Sequence, residues 1–196
     1  MLYVRESLGD NEKVIHVGVF HWTYTFWAVM NAVIGILIGI GIIVAALVYS
    51  EAVQQFTPFS VFRRPLPPDV GLVTEIRNLH PGIRLAGFIS GLLGLLGFAH
   101  RMIVKATTEI AVTTHRVISK RGIIARYVEE ISVDRIEGAN VFQSFFGRIL
   151  NYGRVSVRGM GVGEVLLPII DDPITFRKAV DKARAVNRKM HRDQHV

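Results

Sequence analysis

From Trp22 to Tyr49 the chain runs 28 residues without one Asp, Glu, Lys, Arg or His, and no other feature restricts its possible folds so strongly. At a rise of about 1.5 Å per residue such a helix is about 42 Å long, enough to cross a ~30 Å hydrocarbon core with some tilt. The chain is therefore expected to be an integral membrane protein. A removable signal peptide fits poorly, because the segment starts late, is long and lacks a small-residue cleavage site.

A second apolar stretch, Leu85 to Ala99, lies between Arg84 and the pair His100 and Arg101. Extended to residues 83–104 it has the length to span, with both arginines running their charged ends toward the headgroups. The alternative, a buried core helix of a soluble domain, suits a stretch without a polar face less well. The expected order is an N-terminal segment over 1–21, transmembrane helices over 22–49 and 83–104, and an extracytoplasmic Pro-containing loop over 50–82. A cytoplasmic domain over 105–190 and a tail over 191–196 follow.

Charge orients this hairpin. Residues 1–100 carry six Lys and Arg against six Asp and Glu, whereas residues 101–196 carry seventeen against ten, so the formal excess of +7 all follows the second span. Arg101, Lys105 and Arg116 lie close to its end, and positive charge beside a span marks the cytoplasmic side. Both termini are thus expected in the cytoplasm. Trp22, Tyr24, Trp27 and Tyr49 suit the aromatic belts at the headgroup layers. In the outer loop Phe56, Phe59, Val61 and Phe62 precede the Pro-rich run 63–68, which favours extended backbone for a partner or the bilayer surface. The absence of Cys leaves no disulfide to brace it.

Lipid tails give helices no hydrophobic reason to associate, so close packing through small residues must do so. Gly35 with Gly39, and Gly87 with Gly91, form two GxxxG steps, extended by Ser90, Gly94 and Gly97. They serve either the hairpin itself or contact with another subunit.

Beyond Thr107 the pattern changes to alternation. Thr108, Ile110 and Val112 share one strand face, and Glu109, Ala111 and Thr113 the other. Further strands are predicted over 117–120, 123–129, 130–133, 136–142, 154–158 and 164–170, with a helical turn over 145–150 stopped by Gly153. Val155 and Val157 are expected to point inward, leaving Arg154, Ser156 and Arg158 wet. Asp172 followed by Pro173 announces a last helix with an apolar stripe of Ile174, Phe176, Val180, Ala183 and Val186.

Three blocks carry a family resemblance: Thr113 to Gly122, of the type T-x-x-R-hydrophobic-x-x-x-x-G; Val133 to Gly153; and Asp172-Pro173 with Phe176. Together they resemble the bacterial pleckstrin-homology-like (PH-like) domains of the membrane-flanked, YdbS-like type. The fold class implied is an α+β membrane protein: a two-helix transmembrane hairpin, then an antiparallel sheet or partly open barrel closed by a C-terminal amphipathic helix. The localisation implied is a bacterial inner membrane.

No catalytic, cofactor-binding or metal-binding set stands out. The glycine run 159–163 precedes a strand rather than the helix that a phosphate loop requires. His21 and His100 are the pair to weigh for a haem, and His191 with His195 has helical metal-ligand spacing but no third ligand. No cofactor is expected, and the chain is not expected to be an enzyme or to bind nucleic acid, since its basic residues lack interleaved exposed aromatics. Two functions remain. One is an accessory or scaffold subunit that contacts another membrane protein or a second copy through the four glycines and through Phe142, Phe145 and Phe146. The other is a lipid-binding module that reads acidic headgroups with Arg116, Lys120, Arg121 and Arg126.

Overall fold

The computed structural model describes residues 2–9, 12–54, 71–122, 125–161 and 163–193. They form two compact units, one of residues 1–25 with 103–196 and one of residues 26–102.

The first unit begins with a short helix, α1 (Leu2–Glu6), and a strand, β1 (Val14–Gly18). The sequence reading set residues 1–21 apart from the domain; instead β1 pairs antiparallel with β2 (Glu109–Thr113), almost a hundred residues away. Its run Val14 to Val17, β-branched except at His16, is a strand signal, but only long-range pairing gives it a place. Next come β3 (Arg116–Arg121) and β4 (Tyr127–Ser132), giving one four-stranded sheet in the order β1-β2-β3-β4. The two strands predicted over 123–129 and 130–133 are thus one; residues 123 and 124 lie outside the described residues. A second sheet holds β5 (Ile136–Phe142), β6 (Tyr152–Gly159) and β7 (Gly163–Asp171) in sequence order.

Past Gly18 the chain leaves the first sheet for the second: the Asp171 N–H donates to the Val19 carbonyl at 2.9 Å, and Phe20 bridges Ile170. The N-terminal segment therefore ties the sheets together. The glycine run 159–163 is the tip of the β6–β7 hairpin, with Gly161 and Gly163 at positive φ.

The last helix, α6 (Pro173–Asp193), lies against both sheets. Phe176, Val180 and Ala183 are fully buried with Ile110, Val112, Val155, Val157, Leu167 and Ile170. Removing Phe176 alone from water contributes about 2–3 kcal/mol. Ile174, assigned to the apolar stripe, is exposed, and Ala179 and Asn187 are buried instead; Asn187 hydrogen-bonds the Asp134 carboxylate. The expected tail at 191–196 begins inside this helix, which runs to Asp193. The Asp172 carboxylate caps its start, accepting from the Thr175 N–H at 3.2 Å. Asp172→Ala is expected to lower the unfolding free energy by about 1 kcal/mol, read by chemical denaturation of the full-length chain in detergent.

The second face of β2 is dry, and one expectation of a wet face, that for Ser156, is corrected. Ala111 is buried because α1 covers it, packing Val4 on Ala111 and Ile118, and Thr113 is buried where it bonds Glu12 and Arg116. Ser156 is buried too, its hydroxyl bonded to the Glu164 carboxylate.

The second unit holds most of α2 (Trp22–Gln54) and α4 (Pro81–Thr107), with α3 (Leu72–Asn78) between them. Windows of 28 and 27 residues, Trp22–Tyr49 and Pro81–Thr107, are long and apolar enough to cross a membrane. Residues 55–70, including Phe56, Phe59, Phe62 and the Pro-rich run, lie outside the described residues.

Candidate functional site

Three groups of predicted site residues have definite surroundings, beginning with the glycine seam in the second unit. A Cβ added at Gly35 would stand 2.7 Å from the Gly94 Cα, and one at Gly39 would stand 2.5 Å from the Gly87 carbonyl oxygen. Both separations are shorter than real Cβ contacts allow, so the helix backbones touch there. The Ser90 hydroxyl adds a 3.0 Å bond to the Gly35 carbonyl. Gly94 takes the place in the closest approach that the second GxxxG gave to Gly91, whose backbone N lies 3.7 Å from a Cβ added at Gly39. A Cβ at Gly91 meets open space, in an apolar groove of about 400 Å³ lined by Ile36, Ile40, Gly87, Leu92 and Leu95.

The basic residues do not form one rim. Arg116 is a structural hub: its Nε and Nη2 donate to the two Glu12 carboxylate oxygens at 3.0 and 2.9 Å, and its Nη1 donates to Glu130 at 2.8 Å. It also donates to the Ser7 carbonyl, so one guanidinium ties the N-terminal segment to β3 and β4. The Thr113 hydroxyl completes the site by donating to Glu12. Burial acts to raise the Glu12 pKa, but the hydrogen bonds from Arg116, Thr113 and the Gly9 N–H outweigh it and hold the carboxyl below its ordinary value.

Arg121 donates to the Leu166 carbonyl at 2.9 Å and pairs with Glu129 at 3.3 Å. It lies five strand residues from Arg116, about 16 Å at ~3.3 Å per residue, too far for both to hold one phosphate. Lys120 stands 3.9 Å from Glu109, whose carboxylate also accepts from the Val4 N–H, and lies over the Tyr3 ring. Arg126 is exposed beside Tyr127. The groove beside Arg116 brings in Glu12, Glu130 and Asp134 against Arg116 and Arg135, a lining with no excess of positive charge.

The aromatic residues are on the surface. Phe142, Phe145 and Phe146 are 55, 73 and 67% exposed, and Ile149 and Leu150, which the sequence reading did not single out, extend the patch. It is built on a short helix, α5 (Phe145–Ile149), whose backbone is tightly held. The Gly147 N–H donates to the Ser144 hydroxyl at 3.1 Å, and the Gln143 amide donates to the Gly147 and Tyr152 carbonyls at 3.2 Å each. Asn151, in the left-handed region at φ 56°, makes the turn assigned to Gly153, which instead lies inside β6. Asn tolerates that region because its short side chain satisfies nearby backbone.

His21 is buried. Its Nδ1 accepts from the Thr23 N–H at 3.3 Å and lies 2.9 Å from the Thr23 hydroxyl, while its ring packs on Tyr152 with centroids 5.1 Å apart. His100 is exposed in the second unit, and His195 and the side chain of His191 lie outside the described residues. Among the described residues no group of three or more His, Asp and Glu side chains gathers.

Two antiparallel sheets packed on one C-terminal helix form a PH-like domain of the kind that serves as an interaction module, in a chain that also carries two candidate membrane spans. The family model for the bacterial PH domain matches residues 68–189. As this is more than half of its length, the chain belongs to the bacterial PH domain family. Searches of curated proteins and of solved structures returned no match.

Proposed function

We propose that this is a non-enzymatic protein of the bacterial inner membrane, of the YdbS-like type, in which α2 and α4 cross the bilayer as a hairpin. Both termini and the PH-like domain lie in the cytoplasm, and the protein is an accessory or scaffold subunit of a larger membrane complex. The observation that carries this reading is the apolar groove beside Gly91. The hairpin uses Gly35, Gly39, Gly87 and Gly94 for its own crossing and leaves Gly91 over a groove in which a transmembrane helix of another protein gains close backbone contact.

The alternative, recognition of acidic headgroups by Arg116, Lys120, Arg121 and Arg126, draws less support, since Arg116 and Arg121 already bond to carboxylates. Glu130 and Glu129 would have to give up their partners.

The test is extraction of the tagged protein in a mild detergent, a native gel, and mass spectrometry of what co-migrates. A stoichiometric integral membrane protein is expected, and Gly91→Leu, whose added Cβ meets open space and whose side chain fills the groove, is expected to release it. A protein that runs alone refutes the subunit reading.

A further inference from the structure

At least five hydrogen bonds hold the ends and flanks of a five-residue helix whose large apolar side chains then face outward. Burial does not explain this, since Phe145, Phe146 and Ile149 each remain more than 60% exposed. What surrounds the helix identifies its occupant. Tyr152, the first residue of the strand after α5, packs on His21, and the next residue, Trp22, opens α2 and is itself exposed. Phe20 pairs with Ile170 at the end of β7 and packs on Tyr24, with ring centroids 4.8 Å apart. The last turn of α4 arrives at the same place: Lys105 donates to the Thr25 hydroxyl at 2.6 Å, and Ile110, just beyond, pairs with Gly18. The first turn of α2 and the last turn of α4, both in the same unit as the sheets, therefore lie at the end that carries α5. Basic side chains flank the aromatics, with Arg148 exposed on α5 and Arg154 exposed opposite Phe142 in the β5–β6 register.

We infer that α5 is a membrane-dipping wedge: Phe145, Phe146, Ile149 and Leu150, with Phe142 behind them, enter the headgroup and acyl boundary of the leaflet that α2 and α4 enter. Arg148 and Arg154 stay at the phosphate level. The occupant is the lipid surface in cis, and the side-chain chemistry is that of an interfacial amphipathic helix: aromatic and aliphatic groups on one side, arginine beside them. The fixed backbone of α5 presents these rings without further ordering. This inference rests on the proposed membrane insertion of α2 and α4, and it adds no specific headgroup recognition.

Because the chain contains no Cys, a nitroxide can be placed at one site at a time in the full-length protein. Phe146→Cys, Tyr127→Cys on exposed β4 and Leu37→Cys in α2 are labelled and reconstituted into vesicles of phosphatidylethanolamine and phosphatidylglycerol. Collision with oxygen, which concentrates in the acyl region, is then compared with collision with a water-soluble nickel chelate. The label at 146 is expected to favour oxygen several-fold relative to the label at 127, with the label at 37 more lipid-like than both. A label at 146 as open to nickel as that at 127 overturns the wedge while leaving the membrane reading intact. A label at 146 shielded from both reagents also overturns it, and assigns the patch to a protein surface. If the label at 37 is itself water-exposed, the membrane reading falls and the wedge with it.

Discussion

Arg116→Ala is expected to lower the stability of the PH-like domain by about 2–3 kcal/mol, or roughly 8–12 °C in melting temperature for a unit of this size. The loss is larger than that of a surface ion pair because the Glu12 side chain is only 6% exposed, and without Arg116 its carboxylate is left in a dry setting with fewer donors. Circular dichroism of the full-length protein in detergent reads the melting shift. Hydrogen exchange adds a second signature, since the Val14–Gly18 amides of β1 should lose protection first, the Glu12 tether having gone. Arg116→Lys should recover little, because an ammonium cannot span both Glu12 oxygens as the guanidinium does.

The same network sets a pH dependence of definite sign. The Glu12 pKa is lower folded than unfolded, so the folded state binds fewer protons at mild acidity. Its stabilising contribution is complete above the ordinary value of 4.5 and is lost as pH falls through the lowered folded value. Glu109 acts in the same direction: burial raises its pKa, and the Val4 and Tyr3 N–H bonds more than offset it. Acidification from neutral pH to below 4 should therefore loosen the N-terminal segment before the rest of the domain melts. Glu12→Gln should flatten that part of the profile, and an unchanged profile in this variant would remove Glu12 from the explanation.

Gly39→Leu is the second large effect. A leucine there drives its Cβ into the Gly87 carbonyl, which is backbone and cannot rotate aside. Overpacking of this kind costs about 3 kcal/mol when the neighbours cannot yield, and here the only relief is separation of the helices. In detergent the hairpin should open, read as a broadened and lengthened distance distribution between nitroxides on α2 and α4. Gly91→Leu is the matched control, since its added Cβ meets no atom within 4 Å, with no backbone clash to force the helices apart, and it should leave that distance unchanged. Similar distributions for the two variants would mean that the seam does not hold the pair.

Much of this chain was legible without a fold. The charge-free run after Trp22 required a long apolar helix. The structure reproduces the strand predicted over 136–142 at both ends, and Asp172-Pro173 marked the start of the last helix. These are local signals: side-chain period, solvent preference and capping chemistry act within a few residues, so the sequence states them directly. The resemblance to bacterial PH-like domains likewise rested on contiguous blocks.

What the tertiary structure alone decided depends on partners far along the chain. Val14 to Gly18 becomes an edge strand only because β2 presents unpaired backbone to it, and Arg116 becomes a tether rather than a free cation because Glu12 arrives with that strand. Ser156 is dry only because Glu164 across the hairpin accepts its hydroxyl. Gly94 rather than Gly91 meets Gly35, since the rotation of one helix about its axis against another is set by their packing and not by the spacing of glycines on either. The outward turn of Phe145 and Phe146 follows the same logic. The sequence offered these residues as a contact surface, and the completed sheets, already filled by Phe176 and its neighbours, leave them no interior to occupy.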